Sequence, residues 1–385
     1  MNPRVAYVCA DRGVPVFGSK GCSVHVQEML RAFERMGAKV EVFAAARGMN
    51  PPQDLQRIVV HDLLEPNTNS TSDHGELNAR IRSSIRSAGP FDLIYERHAL
   101  WSFAAMEFAQ EAYVPGALEI NAPLIEEQVR HRSLGDIEGA KRARRRSFDA
   151  ASILLPVSDE LAAHLDLNHL DNCSVLPNAV DPDRFAPPEP GDNPEIDQKP
   201  DQPFTVGFVG TLKPWHGIDE LADGFARLRE TVVDARLLVV GDGPMRERLE
   251  SRLAAYGLSS ATEFSGAIRP DEIPGWLHRM DAAVAPYPDD GETYFSPLKI
   301  LEYLASGRAI VASRMGQIRS LVEHGVTGLL HEPGDCKVMA KHLVALASDE
   351  TLRKRLGRAA RAAAVEKHSW NDSARRILEL SGVRV

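Results

Sequence analysis

The chain has 385 residues, a net charge of −9 at pH 7 and 43% hydrophobic residues. This length suits two domains of ordinary size, and the acidic balance argues against a general nucleic-acid binder, so we expect no nucleic-acid partner. The apolar runs stay short of the roughly 20 residues that cross a bilayer, which argues against a membrane-spanning protein.

The amino terminus reads MNPRVAYVCA and enters a predicted strand at once, so we expect no signal peptide. The cysteines are Cys9, Cys22, Cys173 and Cys336. Their scattered positions lack CxxC spacing, which argues against a disulfide framework or a zinc site. A reducing cytoplasm is therefore the expected location.

The first half alternates short apolar runs with amphipathic stretches, which is typical of a parallel sheet covered by helices. Strands are predicted at Val5–Ala10, Lys39–Ala44, Leu93–Tyr95, Gly116–Ile120 and Ser152–Val157. A Gly-rich loop after the first strand leads into a helix that ends at Gly37. A further helix is predicted to begin near His98.

The alternation breaks at Phe185–Pro203, a stretch rich in Pro and acidic residues that we interpret as an interdomain linker or a surface excursion. It resumes with strands predicted at Phe204–Val209, Ala235–Val240, Ala282–Ala285, Ala309–Ala312 and Thr327–Leu330. The sequence thus predicts an α/β protein with two doubly wound units. Ligands of such sheets bind beyond the carboxyl ends of the strands, and two facing units create a cleft.

The stretch YFSPLKILEYLASG has the features of a helix whose amino end binds an anion. Ser296 and Pro297 are predicted as N-cap and first-turn residues, and Leu298 begins the buried face. Lys299 adds a cation beside the free N–H groups of the first turn, which suits a diphosphate. Glu302, one turn further on, is placed to accept hydrogen bonds from ribose hydroxyls. An ordinary capped helix with a surface Lys–Glu pair is the alternative.

Two glycine-rich loops follow predicted strands in the same half. GFVGTLKPWHG lets the backbone approach a ligand closely, and its Lys213 and His216 add cationic or donor groups. GDGP repeats this arrangement after the next strand, although a tight strand-to-helix turn explains it better when it is taken alone. The residues in these loops that are predicted to contact the ligand are Gly210, Thr211, Gly241, Asp242 and Gly243.

A second group of candidate binding residues lies in the first half, beyond the ends of predicted strands. Gly18, Lys20 and Gly21 belong to the loop FGSKGCS, and Arg97 and His98 follow the strand that ends at Tyr95. A flexible connection without a ligand, and simple packing at a helix end, are the alternatives for these two groups.

The motifs VLPNAVD, GFVGTLKPWHG, VVGDGP, FSGAI, APYP, SPLKILEYLASGRAIVAS and GVTGLL occur in an order that resembles retaining glycosyltransferase family 4. The resemblance covers the second half, and the FGSKGCS loop and the closing HSWNDSARRILEL extend it. It implies a GT-B fold, with two Rossmann-like domains facing a cleft. Residues 1–180 would form an acceptor-binding domain, joined by a last helix at 369–385, and residues 181–368 a nucleotide-sugar-binding domain.

Four positions depart from the family pattern. The two glutamates that the family spaces by seven residues fall on Tyr294 and Glu302. The Arg and Lys of the family's glycine-rich loop fall on Thr211 and His216. A histidine that touches the donor sugar in the family falls near Asn121, which the resemblance therefore places among the sugar-binding residues.

The resemblance implies transfer of a sugar, with retention, from a UDP- or GDP-linked donor to a small-molecule, glycan or lipid-linked acceptor. We predict Lys299, Lys213, His216 and Glu302 as catalytic residues that stabilise the leaving diphosphate, with Ile268 of FSGAI as a further donor contact. No protein nucleophile, cofactor or metal is expected. The sequence Asp-Pro-Asp at 181–183 imitates a metal motif, but an Asp-Pro turn explains it better.

Two other functions and one location stay open. A sugar-nucleotide 2-epimerase shares the two-domain architecture, and a catalytically silent partner subunit would fit the substitutions at Tyr294 and Asn121. The dense basic run Lys141–Arg146 predicts either peripheral contact with the inner face of a membrane or a solvated helix.

Overall fold

The structure is a computed structural model that describes residues 2–64, 74–131, 133–188, 202–289, 294 and 296–384. The chain divides into two compact units. Unit 1 comprises Met1–Asn178, Tyr294–Ser296 and Trp370–Val385, and unit 2 comprises Ala179–Thr293 and Pro297–Ser369. Residues 189–201, which make up most of the predicted linker, lie outside the described residues, as does Arg132.

Unit 1 is built on one parallel sheet. Its described strands are β1 (Arg4–Cys9), β2 (Lys39–Ala44), β3 (Val59–Asp62), β4 (Leu93–Arg97), β5 (Gly116–Ile120) and β6 (Ile153–Pro156). They lie in the order β3-β2-β1-β4-β5-β6, which places the topological switch point between β1 and β4. Strands β1 and β5 are buried on both faces, which explains why their sequences are mostly apolar.

The helices that precede unit 2 in the chain pack on this sheet. They are α1 (Gly21–Arg35), α2 (His74–Ala88), α3 (Ala104–Glu111), α4 (Leu124–His131), α5 (Ile137–Ala150) and α6 (Asp159–His164). The first ends as predicted, because Gly37 adopts a left-handed φ of 82° just beyond the cap residue Met36.

Unit 2 repeats the same topology. Its described strands are β7 (Thr205–Val209), β8 (Arg236–Val240), β9 (Thr262–Gly266), β10 (Ala282–Ala285), β11 (Ala309–Ser313) and β12 (Leu329–His331). They lie in the order β12-β11-β10-β7-β8-β9, so the switch point falls between β7 and β10. When this sheet is read from the opposite edge and its strands are numbered from one, its strand order is the same as that of unit 1.

The helices of unit 2 alternate with these strands. They are α7 (Ile218–Arg229), α8 (Arg246–Ala255), α9 (Ile273–His278), α10 (Leu298–Ala305), α11 (Ile318–Leu321), α12 (Cys336–Ser348) and α13 (Glu350–Lys367). The last helix of the chain, α14 (Trp370–Leu380), belongs to unit 1, where the ring of Trp370 lies 4.8 Å from that of His25 on α1.

Every predicted strand is present, and its ends lie within two residues of the predicted ones. Two further strands were missed, and the predicted start of one helix was wrong. Strands β3 and β9 were missed because both are edge strands that expose polar residues and lack an apolar run. The helix expected near His98 begins at Ala104 instead. There the side-chain carbonyl of Asn78 accepts hydrogen bonds from the N–H groups of Phe103 and Ala104, both at 3.0 Å, and so fixes the helix start.

Candidate functional site

The candidate site lies in unit 2, where β7 and β10 separate. These strands pair at Val206 with Ala282 and at Gly207 with Ala283. On its other side, β7 keeps pairing with β8 as far as Val209. The carboxyl end of β7 therefore leaves β10 at the switch point, which is where doubly wound sheets bind their ligands.

A buried tyrosine hydroxyl fills the space between the two strands. Tyr303, on α10, accepts a hydrogen bond from the Val209 N–H at 2.8 Å. The same hydroxyl contacts the Val284 carbonyl on β10 at 3.4 Å. The tyrosine thus replaces a missing link of the backbone ladder and ties α10 to both strands.

Replacing Tyr303 with Phe is expected to lower the free energy of unfolding of unit 2 by about 1–3 kcal/mol, because the buried Val209 N–H loses its acceptor. Hydrogen–deuterium exchange at increasing urea concentration measures this, since it reports on the strands of each unit separately.

Tyr7→Phe provides the matched control. Tyr7 is fully buried on β1, and its hydroxyl has no hydrogen-bond partner in the part of the chain that the structure describes. Removing that hydroxyl leaves no orphaned group, so stability should stay constant or rise. Equal destabilisation by both substitutions would contradict the bridging role of Tyr303.

Lys299 stands beside this bridge, one turn earlier on α10. Its side chain is 9% exposed, and its Nζ has no hydrogen-bond partner among the described residues. The ammonium lies 4.1 Å from the ring centroid of Phe208 and 5.5 Å from that of Tyr287. Burial lowers the pKa of Lys299 to about 7, with Glu302 acting in the opposite direction. A buried ammonium that has no hydrogen-bond partner in the described part of the chain is the strongest sign of an anion site in unit 2.

The two glycine-rich loops touch each other next to Lys299. A Cβ added to Gly241 would lie 2.2 Å from the Gly210 carbonyl oxygen, and one added to Gly243 would lie 2.6 Å from that of Leu212. A Cβ on Gly210 would lie 3.1 Å from the Nζ of Lys299. Glycine is therefore required for the backbones to approach this closely, and Gly210 and Gly241 also have φ values of 136° and 133°.

His216 closes the loop that follows β7. Its Nδ1 donates to the Thr211 carbonyl at 2.5 Å, which leaves Nε2 as an acceptor. Burial, and then the charge of Lys299, lower the pKa of His216 to about 3, so the ring is neutral at pH 7. Lys213 acts in the same direction, and its Nζ lies 5.7 Å from the ring centroid of Trp215. Two lysines thus supply positive charge near this neutral histidine.

The start of α10 differs from the prediction. The cap residue is Pro297, and the predicted capping of the helix by Ser296 is wrong. The Ser296 hydroxyl instead accepts a hydrogen bond from the Asn178 N–H at 3.1 Å, within unit 1. Leu298 is the first helical residue, so the N–H groups of this turn follow a proline without a side-chain cap.

The remaining predicted donor residues occupy different surroundings. Glu302 is half-buried on α10. The Asp242 carboxylate accepts the Gly243 N–H at 2.7 Å and pairs with Arg246 at 3.3 Å. Ile268 is half-buried two residues beyond β9, the strand next to β8.

The predicted acceptor loop sits at the amino end of α1. Lys20 is the cap residue and is exposed, and the helix begins at Gly21. Gln27 holds the loop by donating to the Gly18 carbonyl at 2.9 Å. A Cβ on Gly18 would lie 2.6 Å from the buried hydroxyl of Ser23, so the loop packs tightly on the helix.

The other predicted acceptor residues follow β4 and β5. Arg97 ends β4 and contacts His25 and Glu119. His98 is buried 5.3 Å from the ring of Phe148, and burial lowers its pKa to about 4. Asn121 directly follows β5, and its amide nitrogen is buried with no partner in the described part of the chain.

The charges of the basic run on α5 are partly neutralised. Lys141 pairs with Glu138 at 2.9 Å, Arg144 pairs with Glu126 at 3.1 Å, and Arg146 pairs with Glu107. Among the described residues, no helix is long and apolar enough to cross a membrane. Peripheral membrane contact stays a prediction.

Sequence reasoning missed the aromatic surroundings of Lys299. Phe208 comes from β7 and Tyr287 from the loop after β10, and their rings reach the ammonium through the tertiary fold. No local pattern around Lys299 indicates either ring.

Two family models match adjacent segments of the chain. Residues 19–184 match Glycosyltransferase Family 4, and residues 203–349 match Glycosyl transferases group 1. Together they account for most of both units. The chain belongs to the family 4 glycosyltransferases. The predicted family is thereby confirmed, as is the prediction that the chain is a glycosyltransferase.

Known glycosyltransferases resemble the chain along nearly its whole length. The D-inositol 3-phosphate glycosyltransferase of Xylanimonas cellulosilytica is 27% identical over 94% of this chain and 91% of its own. The structure of HepE from Anabaena, in complex with UDP and glucose, has a TM-score of 0.72 at 21% identity, covering 98% of this chain and 99% of its own. Sucrose-phosphate synthase from Thermosynechococcus elongatus has a TM-score of 0.75 at 18% identity and covers 98% of each chain. These matches confirm the GT-B fold class, with its two Rossmann-like units.

Proposed function

We propose that this glycosyltransferase takes its sugar from a nucleotide-diphosphate sugar, and that unit 2 binds the diphosphate at Lys299. The observation that carries the proposal is the buried ammonium of Lys299 at the switch point of the sheet. This ammonium has no hydrogen-bond partner among the described residues. The Anabaena structure, which holds UDP and glucose on a similar fold, supports it.

The chemistry of the leaving group explains the residues present. A diphosphate leaves a sugar readily only if its developing negative charge is stabilised by groups already in place. The Lys299 ammonium, the amino end of α10 and the backbone at Gly210 would provide this stabilisation, and Lys213 would add a more exposed charge. The neutral ring of His216 would fix the loop through Thr211. Glu302 would accept hydrogen bonds from the ribose.

We propose that transfer retains the anomeric configuration. The acceptor oxygen would form its bond to the anomeric carbon on the face that the diphosphate leaves. The bond from that carbon to the phosphate oxygen would break, and the acceptor proton would pass to the departing phosphate. No protein nucleophile takes part, so the step does not need the paired carboxylates of a retaining glycosidase.

Unit 1 would bind the acceptor, through the α1 loop and the residues that follow β4 and β5. The Xylanimonas relative is named as a D-inositol 3-phosphate glycosyltransferase, and that name describes the relative alone. For this chain we propose a hydroxylated small molecule, glycan or lipid-linked sugar, with a cytoplasmic reaction.

The test is a panel of UDP- and GDP-sugars incubated with the full chain, with and without a chelator. We expect one nucleotide class to raise the melting temperature and to be hydrolysed slowly, or transferred to an added acceptor, with equal rates in both conditions. Product NMR then reports the anomeric configuration. Binding without hydrolysis or transfer would favour a silent subunit, and C2 inversion of the free donor would favour an epimerase. Activity that manganese or magnesium restores after chelation would contradict metal independence.

A further inference from the structure

Unit 1 buries a row of charged and polar side chains on one face of its sheet. Tyr95 and Arg97 come from β4, Glu119 comes from β5, and His25 comes from α1. The Arg97 side chain is 12% exposed and the Glu119 side chain 2%. Burying an arginine and a glutamate is costly, and apolar residues of similar size would stabilise the core at least as well. The burial of this arginine therefore points to a functional role.

The hydrogen bonds within this row hold Arg97 in one orientation. His25 donates from Nε2 to Glu119 at 2.9 Å, and Tyr95 donates its hydroxyl to the other carboxylate oxygen at 2.6 Å. The Nδ1 of His25 is then an acceptor, and Nη1 of Arg97 donates to it at 3.3 Å. Burial lowers the pKa of His25 to about 4, which keeps the ring neutral and suits this pattern. Nη1 also lies 3.7 Å from Glu119.

Among the described residues, only Nη1 of the Arg97 guanidinium takes part in these contacts. Nε and Nη2 of Arg97 have no hydrogen-bond partner in the described part of the chain. Arg97 ends β4 at the switch point of unit 1, beside β1. On the neighbouring strand, Asn121 follows Glu119 by two residues and so lies on the same face as Arg97, and its amide nitrogen has no described partner. Nε and Nη2 thus form a fork of hydrogen-bond donors that is held in one orientation. The fork lies at the switch point, where doubly wound sheets bind their ligands.

We propose that Arg97 binds an oxyanion of the acceptor, a phosphate or a carboxylate, in unit 1. The proposal rests on the proposed function for the identity of the acceptor, but the anion site itself does not. A guanidinium matches two oxygens of such a group with two parallel hydrogen bonds, which a lysine does not reproduce. Glu119, His25 and Tyr95 are positioning residues that keep the fork in place.

The experiment measures anion binding without turnover. Binding of inorganic phosphate, a phosphate monoester and acetate to the full chain is followed by calorimetry at constant ionic strength. The chain carries Lys299→Met, so that the cation of unit 2 does not contribute. We expect Arg97→Met to weaken binding of the preferred anion tenfold to a hundredfold, and Arg97→Lys to weaken it less. The three probes separate free phosphate, phosphate esters and carboxylates.

Two further variants distinguish binding from a structural role. Glu119→Gln keeps the size of the side chain and one acceptor oxygen, so Arg97 stays in position, but it removes the counter-charge and should tighten anion binding several-fold. Arg31→Met removes another partly buried arginine, which lies on the same helix as His25. Arg31 pairs with Glu28 at 2.8 Å and with Asp54 at 2.6 Å. It should lower stability without changing anion affinity. Unchanged binding in Arg97→Met, or an equal loss in Arg31→Met, would overturn the site, whereas absence of sugar transfer would overturn only the proposed function.

Discussion

Replacing Lys299 with methionine is expected to lower kcat/KM for the nucleotide-sugar donor by about tenfold to a thousandfold, with the fold intact. One charge-assisted hydrogen bond is worth roughly 1.5–3 kcal/mol, and more against a developing charge in a water-poor site. Methionine keeps an unbranched apolar side chain against Phe208 and Tyr287, so packing should survive. Steady-state kinetics at varied donor concentration, together with a melting curve, measure both effects.

Stability gives this prediction a sharp control. Because the buried Lys299 ammonium has no hydrogen-bond partner among the described residues, its removal should leave the melting temperature unchanged or raise it. Lys341→Met, at an exposed position on α12, should change neither stability nor kinetics. Full activity of the Lys299 variant at low donor concentration would remove Lys299 from the donor site.

The pH dependence provides a second readout of the same residue. Burial lowers the pKa of Lys299 from 10.5 to about 7 in the folded chain. The cost of the buried charge is thus fully present below pH 7 and disappears as the pH rises towards 10.5, so stability relative to the methionine variant rises across that window. Donor affinity should do the opposite and fall above pH 7, as the ammonium loses its proton. A nucleotide sugar is the right probe, because a free nucleoside diphosphate carries a terminal phosphate that titrates near pH 6.

Gly241→Ala is expected to destabilise unit 2 by about 3 kcal/mol or more and to abolish donor binding. The residue has a φ of 133°, which alanine rarely adopts, and its new Cβ would lie 2.2 Å from the Gly210 carbonyl oxygen. That oxygen belongs to the backbone, so the whole loop beside Lys299 would have to move. Urea unfolding followed by hydrogen–deuterium exchange, and donor titration, measure the two effects.

Two other glycines of unit 2 separate conformational strain from steric contact. Gly257 has a φ of 71° with nothing within 4 Å of an added Cβ, so its alanine variant should lose only about 1–2 kcal/mol. Gly275 lies in α9 with open space and no positive φ, so alanine there should be neutral or stabilising. If Gly241→Ala cost no more than Gly257→Ala, the close approach of the two loops would not matter to stability.

Much of the fold could be predicted from the sequence because buried parallel strands leave an unambiguous local record. Runs such as Ala282–Ala285 and Ile153–Pro156 are apolar throughout and fully buried. The edge strands β3 and β9 left no such record, because none of their residues is fully buried. Asn78 fixes the start of α3 from another helix, which no local pattern around His98 could indicate.

The residues of the anion site divide in the same way. The place of Lys299 in the first turn of a helix and the glycines after two strands could be predicted, because spacing and residue type record both facts. The contacts of the ammonium with Phe208 and Tyr287, and the hydrogen bond of Ser296 to Asn178 in place of a cap on α10, could not be predicted. These contacts join residues up to 118 positions apart in the chain. Packing between distant segments creates them, and it leaves no trace in local hydrophobic periodicity.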